Sequence, residues 1–178
     1  MIATTVVSVP PVRPLAPPWY AIKVRSRGEF TAAAALRQRG IVTLCPQYSE
    51  MRRYCDRYKT MEKAVFPGYV FCQFDLHDKV SILSSIGVNY IVGIGGMPVA
   101  VPENELFNVR RTIEAGGLPT RYLKAGQAVR VEVGPLAGVE GLLVREAGRE
   151  RLVVSVDLLQ RSIAVNIARE HVHVIKAE

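Results

Sequence analysis

Phe66-Pro67-Gly68-Tyr69-Val70-Phe71-Cys72-Gln73-Phe74 reads as a β-strand entered through a proline–glycine turn. Side chains alternate across a strand, so Val70, Cys72 and Phe74 share one face, and Tyr69 and Phe71 share the other. Both faces are apolar. A parallel sheet covered on both sides would explain that, but it needs a crossover helix between neighbouring strands. The stretch from Tyr48 to Phe74 passes through two strands without one. The pattern therefore points to an α+β fold: an antiparallel sheet with helices mainly on one face. The face carrying Tyr69 and Phe71 is expected to be open to a partner, because exposed aromatic clusters mark interfaces. The competing reading is that a tail or a second domain covers those rings.

Outward from this strand, Trp19 to Val24 has strand composition. Glu29 to Arg39 reads as a helix with Ala32, Ala33 and Leu36 inward and Gly40 as its stop. Ile41 to Cys45 is a short strand, and Tyr48 to Lys63 is polar and basic, expected as a strand running into an exposed loop or hairpin. Downstream, Asp78 to Ser85 forms a short helix and Asn89 to Gly93 a strand. Pro102 opens a third helix, with Glu103 and Glu105 in its first turn and a buried stripe of Leu106, Val109 and Ile113. The uncharged run from Val80 to Pro102 is broken by glycines and prolines, which excludes a membrane helix. After Gly116-Gly117 the texture changes to short β-branched runs: Ala128 to Val133, Gly141 to Arg145, Leu152 to Val156, Ser162 to Ile167 and Val172 to Ile175. Five short strands in so little chain predict a closed small barrel. The expected organisation is a disordered Pro-rich tail over 1–17, an α/β domain over 18–117, a linker over 118–124 and a barrel over 125–178.

Composition narrows the classes. Of 178 residues, 49% are hydrophobic and 22% charged, ordinary for a globular chain. The tail lacks the charged start and unbroken apolar run of a signal peptide. Cys45, Cys55 and Cys72 are odd in number and form no C-x-x-C pair, which argues against a disulfide framework or zinc site and fits a reducing cytoplasm. The net charge is +7. Between Lys23 and Lys63 ten Lys/Arg stand against four Asp/Glu, so the excess is concentrated in one early stretch. Such a field favours a nearby polyanion, although a merely solvated basic face would look the same.

Gly134-Pro135-Leu136-Ala137-Gly138-Val139-Glu140-Gly141 is a tight inter-strand loop without the pattern of a phosphate or dinucleotide loop. It resembles the KOW motif of SH3-like barrels. With Trp19-Tyr20, the Phe66-to-Phe71 strand and the Ile94-Gly95-Gly96 turn, in that order, the chain resembles NusG-type transcription elongation and antitermination factors from about Trp19 to Ile175. Arg52-Arg53-Tyr54-Cys55-Asp56-Arg57 and Val154-Ser155-Val156-Asp157-Leu158-Leu159-Gln160-Arg161-Ser162 are similar to the specialised UpxY and RfaH-like paralogues.

The resemblance implies an NGN-like domain followed by a KOW barrel, in a cytoplasmic monomer without membrane contact, cofactor, metal or catalysis. It implies docking on the β′ clamp helices of RNA polymerase by Tyr69 and Phe71. Phe66, Pro67 and Trp19 would shape that face, with Trp19 equally readable as core. A contact with the β gate loop is a family property, but Lys79-Val80-Ser81 stands where RfaH carries His-Thr-Thr. Arg25, Arg27, Arg37, Arg52, Arg53 and Arg57 become candidates for the non-template DNA strand. Leu136, Val139, Leu158, Leu159 and Arg161 are candidates for recruiting ribosomal protein NusE or Rho, some of them necessarily core. The valine-rich strands Val129 to Val156 argue for a stable β form rather than RfaH's helical hairpin. The expected function is suppression of pausing, restricted to selected operons. The alternatives are a general NusG that supports Rho-dependent termination, and a KOW-containing RNA-binding or ribosomal-type protein.

Enzymatic readings find little. Asp75-Leu76-His77-Asp78 falls at a strand-to-helix turn where aspartate is a routine cap. His171 and His173 would share a strand face without a third ligand nearby. No Ser-His-Asp or Cys-His signature is present.

Overall fold

The computed structural model describes residues 16–175 apart from Tyr54, Asp56 and Ala147, so most of the expected tail lies outside the described residues. The first sheet is built from β1 (Trp19–Val24), β2 (Val42–Leu44), β5 (Tyr69–Gln73), β6 (Val88–Ile91) and β9 (Ala100–Val101), all antiparallel. Its order is β2-β5-β1-β6, with β9 also pairing β1. The register places Tyr20 opposite Cys72 and Ile22 opposite Val70, while Ala21 stands opposite Phe71 on the other face.

Tyr20, Ile22, Val24, Val70 and Cys72 form one core with Ala32, Ala33 and Leu36 of α1 (Glu29–Gln38) and Ile82 of α2 (Lys79–Leu83). The expected alanine face of α1 is the buried one. Both longer helices end as their glycines suggest. Ile41 N donates to Leu36 O and Gly40 N to Arg37 O after α1. Gly117 N donates to Thr112 O and Gly116 N to Ile113 O after α3 (Glu103–Glu114). The helix expected over 78–85 is a 3-10 turn, Leu76–Asp78, followed by α2.

Two hairpins stand outside this sheet: β3 (Gln47–Arg53) with β4 (Tyr58–Ala64), and β7 (Gly93–Ile94) with β8 (Met97–Pro98). The second sheet runs β10 (Leu118–Thr120), β14 (Arg161–Asn166), β13 (Arg149–Val156), β12 (Glu140–Glu146), β11 (Gln127–Val131) and β15 (Val172–Val174). Two expectations need correction here. Leu118–Thr120 is not linker but an edge strand paired with β14, and Pro119 is tolerated because an edge position needs no second set of ladder bonds. Nor do the strands close into a barrel, since the pairing path is open between β10 and β15. His171 lies in a 3-10 turn rather than on β15, so it does not share a strand face with His173.

The expectation of a bare sheet face is also overturned. Ala21, Phe71 and Val101 of the first sheet, with Leu106 and Val109 of α3, belong to one continuous core that runs on into Val129, Leu152, Val154 and Ile163 of the second sheet. The same helix packs against β13 and β14. It is thus a wall shared by the two sheets.

Candidate functional site

Phe71 is 0% exposed and Phe66 1%. Their rings meet edge-on, with centroids 5.4 Å apart at 89°. Neither can touch a partner in this arrangement, and both are corrected from docking residues to core. What remains open is the rim around them: Pro67 is exposed, while Trp19 and Tyr69 are half-buried. Lys23, directly opposite Tyr69 on β1, places Nζ 4.1 Å from the Tyr69 ring centre, a cation–π contact. Behind the turn, Glu29 is buried and its Oε1 accepts from Gly68 N at 2.6 Å. This bond pins the Phe-Pro-Gly turn to the start of α1. Sequence reasoning missed Lys23 and Glu29. Lys23 could have been found by aligning β1 against β5, whereas nothing local distinguishes Glu29 from a solvated first-turn glutamate.

The arginine candidates are all exposed but fall in three places. Arg25 and Arg27 sit on the β1–α1 turn. Arg37 ends α1, with Nη2 donating to Thr43 O at 3.2 Å. Arg52, Arg53 and Arg57 lie on the β3–β4 hairpin, where Arg52 pairs with Glu50 at 2.8 Å. Lys79, Val80 and Ser81 at the start of α2 are also exposed.

Comparison with known proteins bears on what such a rim is for. The family model described as transcription termination factor NusG matches residues 17–110, just over half of the chain. The chain belongs to the NusG family. It is similar to the transcription termination/antitermination protein NusG of Pasteurella multocida (strain Pm70), 27% identical over 167 residues covering 84% of this chain and 90% of that protein. It is 24% identical over 173 residues to the protein of the same name from Helicobacter pylori (strain J99 / ATCC 700824), covering 88% of this chain and 98% of that one. A solved structure described as domain interaction in Thermotoga maritima NusG aligns with a TM-score of 0.48 at 21% identity, covering 89% of this chain and 97% of that chain.

The NusG family model covers the Trp19–Pro67–Tyr69 rim and the basic hairpin, and stops within α3. In the second sheet the structure sorts the remaining candidates. Leu136, Val139 and Leu159 are buried and belong to the core, which corrects them as recruitment residues. Leu158 is half-buried and Arg161 exposed, so only these two stay accessible.

One edge of the seam between α3 and this sheet is polar. Asn108 Oδ1 accepts from Glu140 N at 3.4 Å, and Tyr122 OH donates to Asp157 Oδ1 at 3.0 Å. Glu105 Oε2 is buried there without a hydrogen-bond partner among the described residues. Burial, and then the Asp157 carboxylate, push the Glu105 carboxyl above its ordinary 4.5. A carboxyl raised on folding lowers stability at neutral pH, and the penalty disappears as pH falls through the raised value toward 4.5. Glu105→Gln should therefore be more stable than the parent at pH 7, with the difference shrinking at pH 5, as urea unfolding at both values would record.

Reactive chemistry is weak elsewhere. Burial pushes the Cys72 thiol up to about 12 and that of Cys45 up to about 11, away from thiolate character. Asp75 Oδ1 accepts from His77 N at 2.9 Å and contacts His77 Nδ1 at 2.5 Å, which caps the 3-10 turn. Backbone donation from His77 leads in holding the Asp75 carboxyl below its usual range.

Proposed function

We propose that this chain acts as a transcription elongation and antitermination factor that binds RNA polymerase through the rim formed by Trp19, Pro67 and Tyr69, on the β′ clamp helices. Family membership supports a termination/antitermination role. The observation that carries the docking reading is the rim itself. Half-buried Tyr69 and Trp19 lie at the two ends of the β1–β5 pairing, and beside Tyr69 the exposed Pro67 stands on a turn held from behind by Glu29 and by the Phe66–Phe71 pair. Rigid, partly exposed rings bury large area at little entropic cost, which suits an interface anchor. Binding one clamp conformation more tightly than another would shift the polymerase population away from paused states.

Leu158 and Arg161 are the positions left for a NusE or Rho contact on the second sheet. An operon-restricted role of the UpxY or RfaH kind is supported by likeness in the 52–57 and 154–162 segments. Transcript changes confined to a few operons in a deletion strain would bear it out, and changes across most operons would refute it.

Docking is tested by titrating core RNA polymerase with the parent chain, Trp19→Ala and Tyr69→Ala. Each change should weaken binding by about tenfold or more, the loss typical of a central interface aromatic. Equal affinity for the parent and both variants would dispose of this rim as the contact.

A further inference from the structure

Strands β5, β1 and β6 lie side by side, and their register sets Tyr69, Lys23 and Tyr90 in one row across the sheet. Cross-strand partners share a face, so the three side chains stand on the side away from α1 and α2. The row lies one side-chain step, about 7 Å, beyond Ala21 and Phe71 of the common core. Tyr90 is 54% exposed, and Tyr69 and Lys23 are half-buried.

Lys23 does not simply extend into water. Its Nζ lies 4.1 Å from the Tyr69 ring centre, and a Cβ on Gly68 would fall 2.7 Å from it. The bare glycine, with φ +82, leaves the space in which the ammonium sits. Among the described residues no carboxylate pairs with Lys23. Glu29, behind the same turn, is engaged with Gly68 N. A ring and a turn thus fix the place of a cation whose charge is left unanswered. A ring face answers an ammonium more weakly than a carboxylate does.

The anion that suits this place is a carboxylate on a protein surface. The ammonium is recessed between aromatic side chains of the kind that bury area at protein interfaces, and it adjoins the Pro67 and Tyr69 rim. A nucleic-acid strand is met by outstanding cations, and exposed Arg25 and Arg27 offer those beyond the row.

We infer that Lys23 selects the docking partner: its ammonium, framed by Tyr69 and Tyr90, receives a carboxylate of the polymerase. This rests on the docking reading and deepens it, adding to an aromatic rim the charged contact that discriminates between partner surfaces. An acidic side chain is accepted there, whereas an apolar or basic one leaves the ammonium covered without an acceptor.

The test titrates nucleic-acid-free core RNA polymerase with the full-length chain at several salt concentrations. Lys23→Met keeps the chain that covers Tyr69 and should weaken binding about tenfold, and Lys23→Glu about a hundredfold. Lys23→Arg keeps the charge and should stay within about threefold of the parent. Tyr90→Ala should weaken binding about threefold, the scale of a residue at the edge of an interface. Salt should lower parental affinity more steeply than that of Lys23→Met, which has lost an ion pair. Carbodiimide joins an amine to a carboxylate in contact with it, and should link Lys23 to an aspartate or glutamate of the polymerase.

Parental affinity in Lys23→Met would overturn the inference, and with Tyr69→Ala still weakened the rim would stand without it. A Lys23→Met loss with unchanged salt dependence would also overturn it, as the mark of a lysine that only props the Tyr69 ring. If fluorescent dT15, titrated without polymerase, lost affinity in Lys23→Met while polymerase binding held, the anion would be a phosphate and the inference would fall. Lys23→Met weakened beside Trp19→Ala and Tyr69→Ala at parental affinity would keep the carboxylate contact and remove the aromatic rim.

Discussion

Phe71→Ala is expected to reduce the unfolding free energy by about 3–5 kcal/mol, the cost of deleting a buried aromatic ring and leaving its cavity. In a chain of this size that lowers the thermal midpoint on the order of 10 °C. The expectation follows from position. Phe71 is fully buried in β5, hydrogen-bonded between β1 and β2, and its ring sits edge-on to Phe66 in the core that α3 covers. The surrounding side chains belong to regular elements and collapse poorly into a void. Tyr69→Ala, by contrast, removes a half-buried ring at the rim and should cost about 1 kcal/mol, a value common for a single substitution. Urea unfolding of the two variants separates support from contact. If Phe71→Ala kept parental stability and lost polymerase binding, the ring would be a docking residue after all, and the coverage of this face would be wrong.

The second large effect is expected at Gly141, in β12. A Cβ built there would lie 2.5 Å from Val153 O of the neighbouring β13, with Leu152 Cδ1 at 3.1 Å and Val154 Cγ2 at 3.2 Å. The nearest obstruction is backbone, at Val153, which pairs with Leu142 next along β12, so relief requires movement of the strand rather than of a side chain. Gly141→Ala should cost about 2–3 kcal/mol through strand displacement, toward the upper end of overpacking effects. Gly138, three residues earlier, has φ +86 and nothing within 4 Å of a built Cβ. Gly138→Ala should cost only the left-handed backbone penalty of about 1 kcal/mol. Thermal unfolding should rank Gly141→Ala below Gly138→Ala, with amide exchange at Val153 accelerated only in the former. The reverse order would mean that turn geometry, not strand contact, governs this segment.

These two glycines show what the sequence could and could not convey. The loop from Gly134 to Gly141 is legible as turn chemistry, but the different duties of its glycines depend on which strand arrives alongside. Strand β5 is legible for a similar reason, since alternation of two is a local property and its apolar content on both faces is written in the residues. The helix ends at Gly40 and Gly116 need only short-range hydrogen bonds. The cover over Phe71 was not legible, because the amphipathic pattern of α3 reveals one apolar stripe and says nothing of the second surface it meets. Leu118–Thr120 gave no strand signal: three residues with a central proline carry no periodicity. In the candidate site, the aromatic rim was readable from composition, while the Glu29–Gly68 bond joins groups 39 residues apart and exists only after folding.

The shared helix wall has a mechanical consequence. Against the second sheet α3 sets Leu106 and Val109 in the common core and Glu105 and Asn108 at its edge, with Glu105 Oε2 lacking a partner among the described residues. Water can solvate those polar groups at once if the joint opens, and it relieves the unsatisfied carboxyl oxygen. A force that pulls α3 from the second sheet would therefore admit water first along the carboxamide and carboxylate edge, before the apolar contacts part.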